Sequence, residues 1–153
     1  MKKIVTIIAI LFFTLITSHS DEKCYPKKYD GEFHKAIKNA DRIVVREGGY
    51  YYQFNDDGSP IQYETYFVII DPKEIKEVYN NLKFTNMDQA TCDCTGEPGI
   101  DWYKGGAKIA MTSSKHCGCV VWKDEIENFL TKNSSKWLKS WFLKHSLKKE
   151  HIE

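Results

Sequence analysis

The chain has no surplus of charge: 22 Lys and Arg stand against 21 Asp and Glu, and removing Lys2 and Lys3 with the first twenty residues leaves the balance near neutral. Nucleic acids are gripped by dense positive fields, so no nucleic-acid partner is expected. Proline and glycine are sparse, 4 and 9 in 153 residues, and no repeat or low-complexity linker occurs, which excludes fibrous and linker-rich classes. Long apolar runs are absent apart from Ile4 to Ile16. There is also no glycine-rich phosphate loop, no serine elbow and no His-Glu-x-x-His pair. The chemistries that depend on those motifs are therefore not indicated. No catalytic residue is assigned, and the reading leans away from an enzyme.

The one apolar run follows the basic Lys2-Lys3 and precedes Thr17-Ser18-His19-Ser20 and the charged Asp21-Glu22-Lys23. It falls short of the roughly 20 residues that span a bilayer, and its flanks are those of a secretory signal. Residues 1–20 are read as a cleaved signal peptide and residues 21–153 as one domain. The expected location is the periplasm or the secreted fraction, with no membrane association after cleavage.

Residues 21–32 are read as an N-terminal arm, and Phe33, Ala36, Ile37 and Ala40 recur at helical spacing. Arg42 to Arg46 is a strand candidate. Gly48-Gly49 leads into an aromatic strand from Tyr50 to Phe54, Asn55 to Pro60 is a turn cluster, and Ile61 to Ile70 reads as a long strand. Asp71-Pro72-Lys73-Glu74 has the pattern of a helix start, with Asp71 as cap, Pro72 in the first turn and Glu74 completing a capping box. Ile75, Val78, Tyr79 and Leu82 continue it as an apolar face. A further helix is expected from Asp124 through Ile126, Phe129 and Leu130, broken at Asn133-Ser134-Ser135. A last one is expected from about Lys136 with Trp137, Leu138, Trp141, Phe142 and His145 inward. The class is α+β, an antiparallel sheet with helices mainly on one face.

What the chain does have is five cysteines, four of them in two Cys-x-Cys pairs around a Gly105-Gly106 turn. An unbroken hairpin turning there sets Cys94 opposite Cys117 and Cys92 opposite Cys119. It also gathers all four sulfurs on one face, because residues two apart on a strand point the same way. Ile100, Trp102, Ile109, Met111 and Val121 share that face, whereas Asp101, Tyr103, Lys108, Thr112, His116 and Trp122 take the other. Three readings compete, of which a redox-active dithiol is the least favoured because an apolar strand face offers no cation or helix N-terminus to lower a thiol pKa. The favoured one is a pair of disulfides, Cys92–Cys119 and Cys94–Cys117, which suits an exported domain with a modest core. The alternative is a thiolate site for zinc or copper made by Cys92, Cys94, Cys117 and Cys119, which His116 joins only through a bulge. Pro98 interrupts the first strand and marks the place where such a bulge is expected. Cys24 is read as a free thiol in the arm.

Tyr50, Tyr52, Asp101 and Tyr103 form a candidate contact surface, since tyrosine offers apolar area with a polar tip. Asp93, Glu97, Asp101 and His116 contain the atoms of an acid/base site, but polar residues on a solvated sheet face look the same, and that plainer reading is preferred.

The segment from Cys92 to Tyr103 (Cys-Asp-Cys-Thr-Gly-Glu-Pro-Gly-Ile-Asp-Trp-Tyr), with Lys108-Ile109-Ala110, His116 and Trp122, resembles a loose group of uncharacterised exported bacterial proteins. These have a Cys-x-Cys-x-Gly strand hairpin and a His- and Trp-containing return strand. The Asp71-Pro72 helix start and the Trp-rich end are similar too. The group often carries His-Gly where this chain has Cys117-Gly118. The resemblance implies the fold and the exported location, and no activity. The resulting expectation is an exported, non-catalytic protein that binds another protein, as an inhibitor or immunity protein does, and needs no cofactor. The alternative is a periplasmic zinc or copper protein.

Overall fold

Short runs of β-branched residues and two glycine-assisted turns build the centre of this protein. The computed structural model describes residues 28–50, 54–85, 96–122 and 126–152. Six strands, β1 (Arg42–Arg46), β2 (Thr65–Ile69), β3 (Gly99–Lys104), β4 (Ala107–Lys115), β5 (Cys119–Trp122) and β6 (Ile126–Phe129), form one antiparallel sheet in the order β2-β1-β3-β4-β5-β6. Three helices, α1 (Lys28–Ile37), α2 (Pro72–Asn81) and α3 (Lys132–Lys144), pack against one side of it. The class is therefore α+β, as the clustering of the strand patterns, with helices interspersed and at the end, indicates.

One core joins helices and sheet. Phe33 and Ile37 of α1, Ile75 and Val78 of α2, and Leu138, Trp141 and Phe142 of α3 meet Ile43, Val45, Ile69, Ile100, Trp102, Ala110 and Val120. The start of α2 follows its local chemistry: the Asp71 carboxylate accepts the Lys73 amide at 2.9 Å and Pro72 occupies the first turn. Glu74 does not turn back to complete a capping box. Its Oε1 instead accepts three donors, Trp141 Nε1 at 3.0 Å and Lys144 Nζ at 3.1 Å from α3 and His145 Nε2 at 2.7 Å from the residue that caps its end. A carboxylate has no proton to give, so Nε2 is the protonated nitrogen of His145.

Burial alone would raise the Glu74 pKa, but the hydrogen bonds from His145, Lys144 and Trp141 outweigh it and hold the group below its ordinary value of 4.5. Such a carboxylate adds stability that is complete above the unfolded pKa and is lost as pH falls through the folded one. Glu74→Gln is therefore expected to destabilise by about 1 kcal/mol at pH 7. The difference should shrink below about pH 4.5, read from urea midpoints of the two proteins across pH. A difference that persists unchanged at pH 3 would contradict the assignment.

The Gly105-Gly106 turn forms as expected, with Lys104 facing Ala107 and both glycines at positive φ, +56° and +83°. That geometry matches the twist of the flanking strands. The register beyond it is not the unbroken one. Tyr103 faces Lys108, but Trp102 faces Ala110, so Ile109 is an extra residue on β4. The bulge lies nearer the turn than Pro98, whose carbonyl accepts the Ser114 amide at 3.0 Å and keeps the ladder going. Its physical reason is the indole of Trp102, which has no exposed surface and needs an acceptor. The slip brings Thr112 to the core face, where its Oγ1 accepts Trp102 Nε1 at 3.2 Å and donates to the Ile100 carbonyl at 2.9 Å.

Other expectations are corrected. The return strand does not continue to Trp122. It ends at Lys115, and His116-Cys117-Gly118 turn back with His116 and Cys117 at φ 47° and 54° and the Gly118 amide donating to the Lys115 carbonyl. The helix expected from Asp124 is the strand β6. Leu130 donates to the Gly118 carbonyl, while Thr85 donates to the Phe129 carbonyl and Thr131 to the Lys83 carbonyl. Backbone partners on both sides thus hold this short run extended, against its ambiguous periodicity. Asn133-Ser134-Ser135 is not a break but the first turn of α3, capped by Thr131, whose Oγ1 accepts the Ser134 amide. The helix placed at Phe33 to Ala40 lies at Lys28–Ile37. The strand expected over Ile61 to Ile70 is confined to Thr65–Ile69, and Phe54 makes only a single bridge to Pro60. Tyr52 and the centre of the expected Tyr50 to Phe54 strand lie outside the described residues.

Candidate functional site

Because the helices cover one side of the sheet, the side chains that alternate with the core face the other. On that second face Val68, Val44, Asp101 and Met111 oppose one another in a row across β2, β1, β3 and β4. The neighbouring row holds Arg42, Tyr103 and Lys108. The Arg42 guanidinium sits 4.2 Å from the Tyr103 ring centroid and Lys108 Nζ 5.7 Å from it, so the phenol is flanked by two cations. Val68 is 48% exposed, Ile70 just past its strand is 70% exposed, and Val44, Tyr103 and Met111 are half-buried. β2 is also the end strand of the sheet.

Beneath this surface lies a buried charge network. Asp101 is only 2% exposed, although its place on the polar side of the expected hairpin suggests a solvated residue. Its Oδ2 accepts Arg46 Nε at 3.2 Å and Lys108 Nζ at 2.6 Å, and its Oδ1 accepts Arg46 Nη2 at 3.3 Å. Arg46, 5% exposed, also donates to the Glu47 carbonyl at 2.9 Å and the Gly49 carbonyl at 3.3 Å. Gly99 makes room for this: a Cβ there would lie 2.7 Å from the Arg46 guanidinium carbon and 2.9 Å from the Gly48 carbonyl oxygen. Asp101 thus accepts three hydrogen bonds from two cations. It holds Lys108 beside the Tyr103 ring on the same face of the sheet.

A second cluster stands where β2 bulges. Tyr66 is the extra residue between the Val45–Phe67 and Arg46–Thr65 pairs, and its hydroxyl donates to Glu97 Oε1 at 2.8 Å and lies 3.1 Å from His151 Nδ1. Burial first, then the hydrogen bond and charge of Glu97, push the Tyr66 pKa well above the usual phenol range. The cluster ties the end of the chain to the sheet, and a phenol held protonated in this way is no base.

The cysteine expectations divide. Cys92, Cys94 and Cys24 lie outside the described residues. Cys117, 1% exposed, packs in the core with the helices, whereas Cys119 opens β5 opposite Lys115 and Phe129, with alternation placing it on the other side from Val120. The two sulfurs of the second Cys-x-Cys therefore do not share a face. The tight turn that separates β4 from β5 is the reason. Burial pushes the Cys117 thiol up to about 11, with Ser114 and Lys139 opposing it, which is the reverse of what a reactive thiolate needs. His116 is exposed on the turn. Among the described residues no three His, Cys, Asp or Glu side chains stand close enough to hold a metal ion.

Of the expected contact residues, Tyr103 lies at the centre of the second face, Asp101 lies beneath it, and Tyr50 is half-buried after the Gly48-Gly49 turn. Sequence reasoning did not single out Arg42, Val44 or Val68, and it placed Met111 on the face of Trp102, whereas the bulge at Ile109 turns Met111 to the face of Asp101. The alternation of Arg42-Ile43-Val44-Val45-Arg46 signals which residues leave the core, but not that β1 lies between β2 and β3. No protein-family model, curated protein or solved structure matches this chain. No helix among the described residues is long and apolar enough to cross a membrane.

Proposed function

We propose that this is an exported, non-catalytic protein that binds another protein through the helix-free face of its sheet, in the manner of an inhibitor or immunity protein. The observation that supports the reading is the juxtaposition of apolar Val68, Val44 and Met111 with a tyrosine held between Arg42 and Lys108. Tyrosine, methionine and arginine are the residue types enriched at the centre of protein interfaces, and paired cations favour a partner with an acidic patch. The ring and the guanidinium already hold one another, so little side-chain entropy is lost when a partner covers them.

Immobilised protein exposed to extract from the native compartment is the test. Wild type and Lys136→Glu, which alters the exposed outer side of α3, should retain the same acidic protein. Tyr103→Ala combined with Val68→Asp should weaken its retention by at least about thirtyfold, as expected for loss of an interface centre worth about 2 kcal/mol or more. Equal retention by all three proteins would reject this face as the binding site.

A further inference from the structure

A second recess lies on the opposite side of the protein, between the end of α1 and the first turns of α2. It encloses about 360 Å³ and is walled by Ile37, Ala40, Pro72, Ile75 and Tyr79. Small-molecule sites have this size and this mostly apolar lining. Its rim carries two cations and one carboxylate, a net positive charge. Lys38 and Lys76 stand on it, both exposed, and neither takes part in an ion pair among the described residues. The one acidic side chain at the rim, Asp41, is already occupied, its Oδ2 accepting the Gly105 amide at 2.7 Å. An apolar recess whose rim is net positive, with neither cation in an ion pair among the described residues, is complementary to a molecule with an apolar tail and an anionic head.

We infer that the α1–α2 recess is a binding site for a single-chain amphiphilic anion, an alkyl carboxylate. The volume decides between sources of that chemistry. A recess of about 360 Å³ takes one alkyl chain, whereas a two-chain phospholipid or a docked helix needs considerably more. The tail lies against Ile37, Ile75 and the Tyr79 ring, and the carboxylate sits between Lys38 and Lys76. The inference is independent of the sheet face proposed above, which uses none of these residues.

Calorimetric titration with decanoate and with decyltrimethylammonium, both below their micelle concentrations, tests it directly. The two share a tail and differ in the sign of the head. Wild type should bind decanoate saturably and at least about tenfold more tightly than the cation, the effect of two exposed ion pairs worth up to about 1 kcal/mol each. Lys38→Glu combined with Lys76→Glu, at exposed positions that leave the core intact, should reverse the preference. Amide shifts on adding decanoate should centre on Ile37, Ala40, Ile75 and Tyr79. The inference is overturned by equal affinity for the two heads, by a preference that the double substitution leaves unchanged, by shifts centred elsewhere, or by no saturable binding at all. Tighter association with anionic phospholipid vesicles than with decanoate would equally overturn the single-chain assignment.

Discussion

Asp101→Leu is expected to lower the unfolding free energy by about 3–5 kcal/mol, because it removes the buried carboxylate that accepts two hydrogen bonds from the Arg46 guanidinium. The carbonyls of Glu47 and Gly49 and the Tyr63 ring, 5.1 Å from the guanidinium carbon, stay beside Arg46 but carry no formal charge to replace that of the lost carboxylate. Lys108, whose side chain is 29% exposed, can turn to water, so it adds little to the loss. The mirror substitution, Arg46→Met, strands Asp101 with Lys108 alone and should cost somewhat less. Combining the two should recover most of the stability, since an apolar pair of similar volume carries no desolvation cost. Urea denaturation of the four proteins gives the coupling energy. A loss below about 1 kcal/mol for Asp101→Leu would mean that water reaches the pair and that the network holds nothing in place. At high salt the loss should change little, because buried pairs are poorly screened.

Trp102→Ala is expected to cost about 3–5 kcal/mol, the range for deleting a large aromatic side chain from a packed core. The indole has no exposed surface, stands edge-on to Phe33 at 6.1 Å between ring centroids, and sits between Ile43 and Ala110 in neighbouring strands. A loss of that size is a large share of the 5–15 kcal/mol typical of a domain, so unfolding at a much lower urea concentration should be seen. Trp122, Trp137 and Trp141 keep the fluorescence readout. Thr112→Val isolates the polar part: it leaves the Trp102 Nε1–H buried without an acceptor and should cost about 1–3 kcal/mol. Adding Trp102→Phe to Thr112→Val removes the orphan donor and should return part of that loss. Additive costs for the two substitutions would show that the bond between them contributes nothing.

Both predictions rest on contacts that run across strands, and neither was legible in the chain. Asp101 reads as a solvated residue until Arg46 is brought alongside it by the pairing of β1 with β3. Trp102 and Thr112 were assigned to opposite faces, and the bulge at Ile109 put them on one. The helix expected at Asp124 failed for a related reason. Its apolar residues fit either period over so short a run, and the decision came from Lys83 and Thr85 on one side and Gly118 on the other. The candidate binding face was half legible. Tyr103 was identified as a contact residue, but its companions Arg42, Val44, Val68 and Met111 come from three other strands.

Where local chemistry suffices, the chain alone determined the structure. Asp71 and Pro72 start a helix because one accepts a free amide and the other has none to lose. Gly105-Gly106 turns a hairpin because both residues adopt positive φ without steric cost. The α+β class follows from these elements and their order. Only the tertiary structure decided the register of that hairpin, its folding into three strands at His116-Cys117-Gly118, and the side of the sheet to which Cys117 and Cys119 turn. The physical reason is the period of two in a strand. A single extra residue exchanges the faces of everything beyond it, and whether one is inserted depends on which distant side chains need a partner.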